Sequence, residues 1–138
     1  MLTLTLLWLV LQYDYAGFAR IGLLAALLHE CGHVLVWVLM TRTLPELRFS
    51  VTGIGMDVSG VQLGAGKTLL LALAGPAANF LICGLTLAAM QQKASYWGWF
   101  FAAANCLVGI FNLLPFGVLD GRQILHSLRI LGLHLRRK

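Results

Sequence analysis

Charge is what this sequence has least of. Asp, Glu, Lys and Arg make up 11% of its 138 residues and 59% are hydrophobic, whereas an ordinary soluble domain is about a quarter charged and about half apolar. A mean hydropathy of +0.84 agrees, and a conventional water-soluble globule is excluded. Cysteine is also sparse. Cys31, Cys83 and Cys106 all fall in apolar stretches, with neither CxxC spacing nor an even count, so no disulfide framework is implied. No basic patch is interleaved with aromatics, which argues against nucleic acid as a partner despite the net charge of +5. Met1 to Gln12 lacks a basic n-region and an A-x-A site, so it reads as a short first span rather than a cleaved signal peptide.

What is there is a series of long apolar runs. The expectation is an all-α, multi-pass membrane protein forming one domain over 1–138, with four spans near 2–15, 21–40, 69–90 and 96–114. Residues 41–66 differ, carrying Pro45, several glycines and alternating apolar positions at Leu47, Phe49 and Val51 and at Ile54, Met56 and Val58. This pattern predicts a β-hairpin over about 47–63. The tail from about 120 to 136 has Ile124, Leu125, Leu128, Leu131 and Leu135 at helical spacing and ends in Arg136, Arg137 and Lys138. It reads as an amphipathic basic helix on anionic lipid. With four spans, both termini and the 41–66 loop share the more basic side, which the positive-inside rule places in the cytoplasm.

The chemistry-bearing feature is His29-Glu30-Cys31-Gly32-His33, an H-E-x-x-H sequence inside the clearest span. On a helix, residues four apart share one face, so both imidazoles can bind one ion while Glu30 stands beside them as a general base. With the four histidines of this chain, chance placement of such a motif has a probability of about one or two in a thousand. A carboxylate in mid-span costs several kcal/mol and is kept mainly for function. Zinc is the default metal, and its catalytic sites keep three protein ligands. Asp120 is the leading third ligand because it is the only carboxylate after Asp57; His126 and His134 compete for that role. Gly64-Ala65-Gly66-Lys67-Thr68 imitates the end of a phosphate-binding loop, but Val61 stands where the first glycine is needed.

The H-E-x-x-H motif, together with Asn112-Leu113-Leu114-Pro115-Phe116-Gly117-Val118-Leu119-Asp120-Gly121, resembles the site-2 protease family of intramembrane metalloproteases, which pairs HExxH with N-x-x-P-x-x-x-L-D-G. Gly75-Pro76-Ala77-Ala78-Asn79 resembles the G-x-x-x-N element of that family's middle helix. The likeness covers roughly residues 16 to 125, with Arg122 standing where the family often has a second glycine.

The resemblance implies a compact bacterial type, without a PDZ or CBS domain, in the cytoplasmic membrane. It implies one zinc ion per chain on His29, His33 and Asp120, with Glu30 as catalytic base. Asn79 and Asn112 would lie near the site and position substrate or an oxyanion; interhelical hydrogen bonding is the alternative for such asparagines, as Asn105 and Asn112 are seven apart on one helix face. The hairpin, through Phe49, Val51, Ile54 and Met56, would receive an extended substrate by strand addition. The expected activity is hydrolysis of a peptide bond in or near a transmembrane segment of a membrane-protein substrate, as in regulated intramembrane proteolysis. The alternative is a membrane protein that binds or transports a metal without hydrolysis. Oligomeric state is not legible.

Overall fold

The computed structural model describes residues 8, 10–50, 53–57 and 63–135; for 46–50, 53–57, 134 and 135 it describes the backbone alone. Residues 2–7 and 9 of the expected first span, the hairpin residue Val51 and the basic end 136–138 lie outside the described residues. The chain runs α1 (Phe18–Thr41), β1 (Glu46–Ser50), β2 (Gly53–Asp57), α2 (Ala65–Met90), α3 (Tyr96–Asn112) and α4 (Asp120–Leu135). Helix α2 is central and packs against α1, α3 and α4, while α1 also packs against α3.

Among the described residues, two helices are long and apolar enough to cross a membrane, α1 and α2. Their 24 and 26 residues correspond to about 36 and 39 Å, against a hydrocarbon core of about 30 Å. Of the four expected spans, the described residues thus show two. Helix α3 has 17 residues, about 26 Å, because it stops at Asn112 ahead of Leu113, Leu114 and Pro115 rather than running to 114. Strands β1 and β2 pair antiparallel, with Leu47 opposite Met56 and Phe49 opposite Ile54.

Each helix end has a local cause. Arg42 closes α1 in a left-handed conformation, and its N–H bonds to the Val38 carbonyl, a common helix stop. The Ser95 hydroxyl caps α3 by accepting the Gly98 N–H at 3.0 Å. At the same end of the molecule Phe18 meets Phe100 at 4.7 Å, and Tyr13, Tyr15, Tyr96, Trp97 and Trp99 are exposed around it. Such a rim suits a membrane interface.

Burial is reversed relative to a soluble domain. Beside Trp37, Leu71 and Met90 the interior holds small side chains (Ala25, Ala72, Ala74, Ala102) and polar ones (His29, His33, Asn79, Asn105, Ser127), whereas Leu39 is 71% exposed and Leu107 67%. Small residues let helices approach closely in an apolar solvent, where association relies on packing and interhelical hydrogen bonds. Gly32 of α1 accordingly lies against Ala74 and Ala78 of α2. This packing brings the polar face of α1 onto α2.

Candidate metal centre

His29 and His33 lie one turn apart on the buried face of α1, as i, i+4 spacing requires, and their Nε2 atoms are 3.1 Å apart. Asp120, in the first turn of α4, completes the group: its Oδ2 lies 3.0 Å from His29 Nε2 and 3.2 Å from His33 Nε2. The carboxylate begins a helix, where the positive end of the peptide dipoles favours negative charge. Gly121 is what lets the preceding turn fold so tightly, because a Cβ there would run into the Leu113 and Leu114 carbonyl oxygens.

The second nitrogen of each ring decides what the site presents. His33 Nδ1 lies 2.9 Å from the main-chain oxygen of Leu71, an acceptor only, so that nitrogen carries the proton. Pro76 belongs to the same stretch of α2 and has no N–H to offer the Ala72 carbonyl four residues back. His29 Nδ1 lies 2.7 Å from Asn79 Oδ1. Both amide hydrogens of Asn79 are used, toward the Ala25 carbonyl at 3.0 Å and Asn105 Oδ1 at 2.9 Å. Its oxygen must then face His29, which donates from Nδ1.

Both Nε2 atoms therefore carry lone pairs, and Asp120 Oδ2 is buried without a hydrogen-bond partner among the described residues. Three acceptors within 3.2 Å of one another repel unless a cation lies among them. Two ligands of a tetrahedral zinc ion stand roughly 3.3 Å apart, given metal–ligand bonds of about 2.0–2.1 Å, so the donor set and its spacing fit such an ion. Among the described residues this is the one cluster of three or more His, Cys, Asp and Glu able to hold a metal. Gly75 of α2 faces it directly, and a Cβ there would meet both imidazoles. Glu30 is half-buried beside the group and within electrostatic range of both histidines and Asp120.

The expected residues are thus not all brought together. His29, His33, Glu30 and Asp120 converge. His126 instead lines a cavity of about 430 Å³ with Thr68, Gly117 and Arg122, and the side chain of His134 lies outside the described residues. Asn79 reaches the site, with its two N–H groups directed to the Ala25 carbonyl and Asn105 Oδ1, the interhelical bonding expected as the alternative. Asn112 donates to the Val108 carbonyl of its own helix at 3.0 Å. Lys67 and Thr68 open an apolar helix and form no phosphate loop. Sequence reasoning missed Gly75 as the bare wall of the site and Asn105 as the partner of Asn79; small and amide residues inside apolar runs were the available signals.

No family model matches the sequence, and no curated protein matches it. A search of solved structures finds the site-2 protease from Methanocaldococcus jannaschii, with a TM-score of 0.68 and 23% sequence identity. The chain has the fold of a site-2 protease. The match covers 92% of this chain and 62% of the archaeal one, so the chain spans under two-thirds of its length. Every described element of the site-2 protease fold that positions the His-His-Asp group, α1, α2 and α4, falls within residues 18–135.

Proposed function

We propose that this chain is an intramembrane zinc metalloendopeptidase, multi-pass in a bacterial cytoplasmic membrane with both termini on the cytoplasmic side. Its reaction is hydrolysis of a peptide bond in or beside a transmembrane segment of a membrane-protein substrate. The observation that carries this reading is the convergence of three unshared acceptors, His29 Nε2, His33 Nε2 and Asp120 Oδ2, next to Glu30 on a helix long enough to span a bilayer. The fold likeness and the exposed leucines support the same reading.

His29, His33 and Asp120 would hold the zinc ion. Bound there, zinc supplies Lewis acidity, which polarises a scissile carbonyl and makes water acidic enough to lose a proton near neutral pH. Glu30, beside the ligands but not one of them, takes that proton on its carboxylate and returns it to the leaving amine. Close packing of α1, α2 and α4 around the group keeps bulk water from competing with these transfers. The outer hydrogen-bonding edges of the two-stranded β1–β2 pair would offer a place where unwound substrate backbone can pair.

The test is a pair of proteins, wild type and Glu30→Gln, purified in detergent and also expressed in cells. Both are expected to hold about one zinc per chain, and only the wild type generates membrane-protein fragments. Undiminished cleavage by Glu30→Gln would remove Glu30 from the mechanism. Zinc binding without any Glu30-dependent cleavage would favour the non-hydrolytic alternative.

A further inference from the structure

The two histidines are held in the same tautomer by different means. His33 donates to a main-chain carbonyl, which can only accept. His29 donates to a side-chain amide, which presents an acceptor in one orientation and a donor when turned over. Something must fix the orientation of Asn79. Asn79 and Asn105 are both 0% exposed, so water is not available to do it.

We propose that Asn105, on a helix that contributes no ligand, fixes the tautomer of His29 through Asn79 and is thereby a positioning residue for the metal centre. The role in metal binding rests on the reading given above; the tautomer itself does not. The amide of Asn105 donates to the Phe101 carbonyl at 2.9 Å, which turns its Oδ1 toward Asn79. Asn79 Nδ2 donates to that oxygen at 2.9 Å and to the Ala25 carbonyl at 3.0 Å. With both donors held by oxygens, Asn79 Oδ1 faces His29 and accepts its Nδ1–H, leaving the Nε2 lone pair aimed into the site. Without the Asn105 oxygen, one Asn79 N–H is buried unsatisfied. Only the Ala25 carbonyl then opposes turning of the amide; a turned amide offers an N–H to His29 Nδ1, and the imidazole proton moves to Nε2, where it blocks a metal. Helix α3 thus reaches the metal centre through two amides. Groups of this kind that orient a metal-binding histidine are worth about 10- to 100-fold in metal affinity.

The experiment uses the full chain in detergent micelles with ¹⁵N-labelled histidine, first metal-free. At a pH high enough that both rings are neutral, His29 and His33 are both expected to appear as the Nδ1–H tautomer in the wild type. Asn105→Ala should shift His29 toward Nε2–H and leave His33 unchanged, since the Leu71 carbonyl cannot turn over. Asn105→Asp, which keeps an acceptor toward Asn79, should restore His29, and so should Asn79→Asp in the Asn105→Ala background, because a carboxylate cannot become a donor. Zinc affinity, measured by chelator competition, should fall about 10- to 100-fold in Asn105→Ala and recover in Asn105→Asp. An unchanged His29 tautomer in Asn105→Ala overturns the proposal, as does an equal change at His33, which would indicate general loosening. Because the tautomer is read without zinc or substrate, a chain that never cleaves peptides fails the functional reading and leaves this result standing.

Discussion

A Cβ atom added to Gly75 would stand 2.6 Å from His29 Nε2. The wall of the candidate metal centre facing the histidines is therefore bare main chain, and a methyl group there would stand against the nitrogens that a bound ion would use. Gly75→Ala is expected to lose most of its zinc while keeping the helical content of the wild type. Metal analysis of purified protein beside its circular dichroism spectrum checks this. Normal zinc content in that variant would show that α2 can shift aside and that the close approach is not required.

A metal that binds the folded chain and not the unfolded one stabilises it by mass action. Zinc at about 100 times its dissociation constant should add about 2.7 kcal/mol to the folded state, read as a rise in the unfolding midpoint. Glu30→Gln should show the same rise, because Glu30 is not a ligand. Asp120→Asn should show a smaller one, because the buried Oδ2 that lacks a donor is replaced by a weaker ligand. An equal rise in all three proteins would place the zinc elsewhere.

Ahead of α1, Asp14 accepts the Arg20 main-chain N–H at 2.9 Å. Desolvation opposes ionisation of its carboxyl, but the N–H groups of Arg20, Ala19 and Phe18 and the Arg20 charge together outweigh it, and the pKa lies below the usual 3.8. A carboxylate depressed on folding contributes stability that is present above its unfolded pKa and lost as pH falls through the folded value. Asp14→Asn should therefore be less stable than the wild type at neutral pH, with the gap narrowing as pH falls below about 4. Thermal unfolding of both proteins across that range measures it, and a gap independent of pH would remove the charge from the argument.

Some of this centre is legible in the chain order and some is not. The pairing of His29 with His33 follows from helical periodicity once the apolar run around them is recognised as a helix. Asp120 is different, because it stands 87 positions after His33 with two helices and a hairpin between them; only its rarity as a carboxylate and the motif around it point to it. Asn79 is visible as a polar residue in an apolar helix, but its task depends on which neighbours take its two N–H groups. Asn105 shares its helix with Asn112, and nothing local separates the amide that reaches the centre from the one that bonds back to its own turn.

The sequence by itself determined that this chain has apolar helices of membrane-spanning length, with two histidines and a carboxylate at helical spacing on one of them. Those properties depend on composition and on a repeat of 3.6 residues, which are local. Only the tertiary structure places Asp120 beside the two histidines, the bare main chain of Gly75 against their rings, and Asn79 Oδ1 within hydrogen-bonding distance of His29. Each depends on distances across helix interfaces. Those distances are set by how closely glycine and alanine let α1, α2 and α4 approach, and by which buried donors find acceptors once they do.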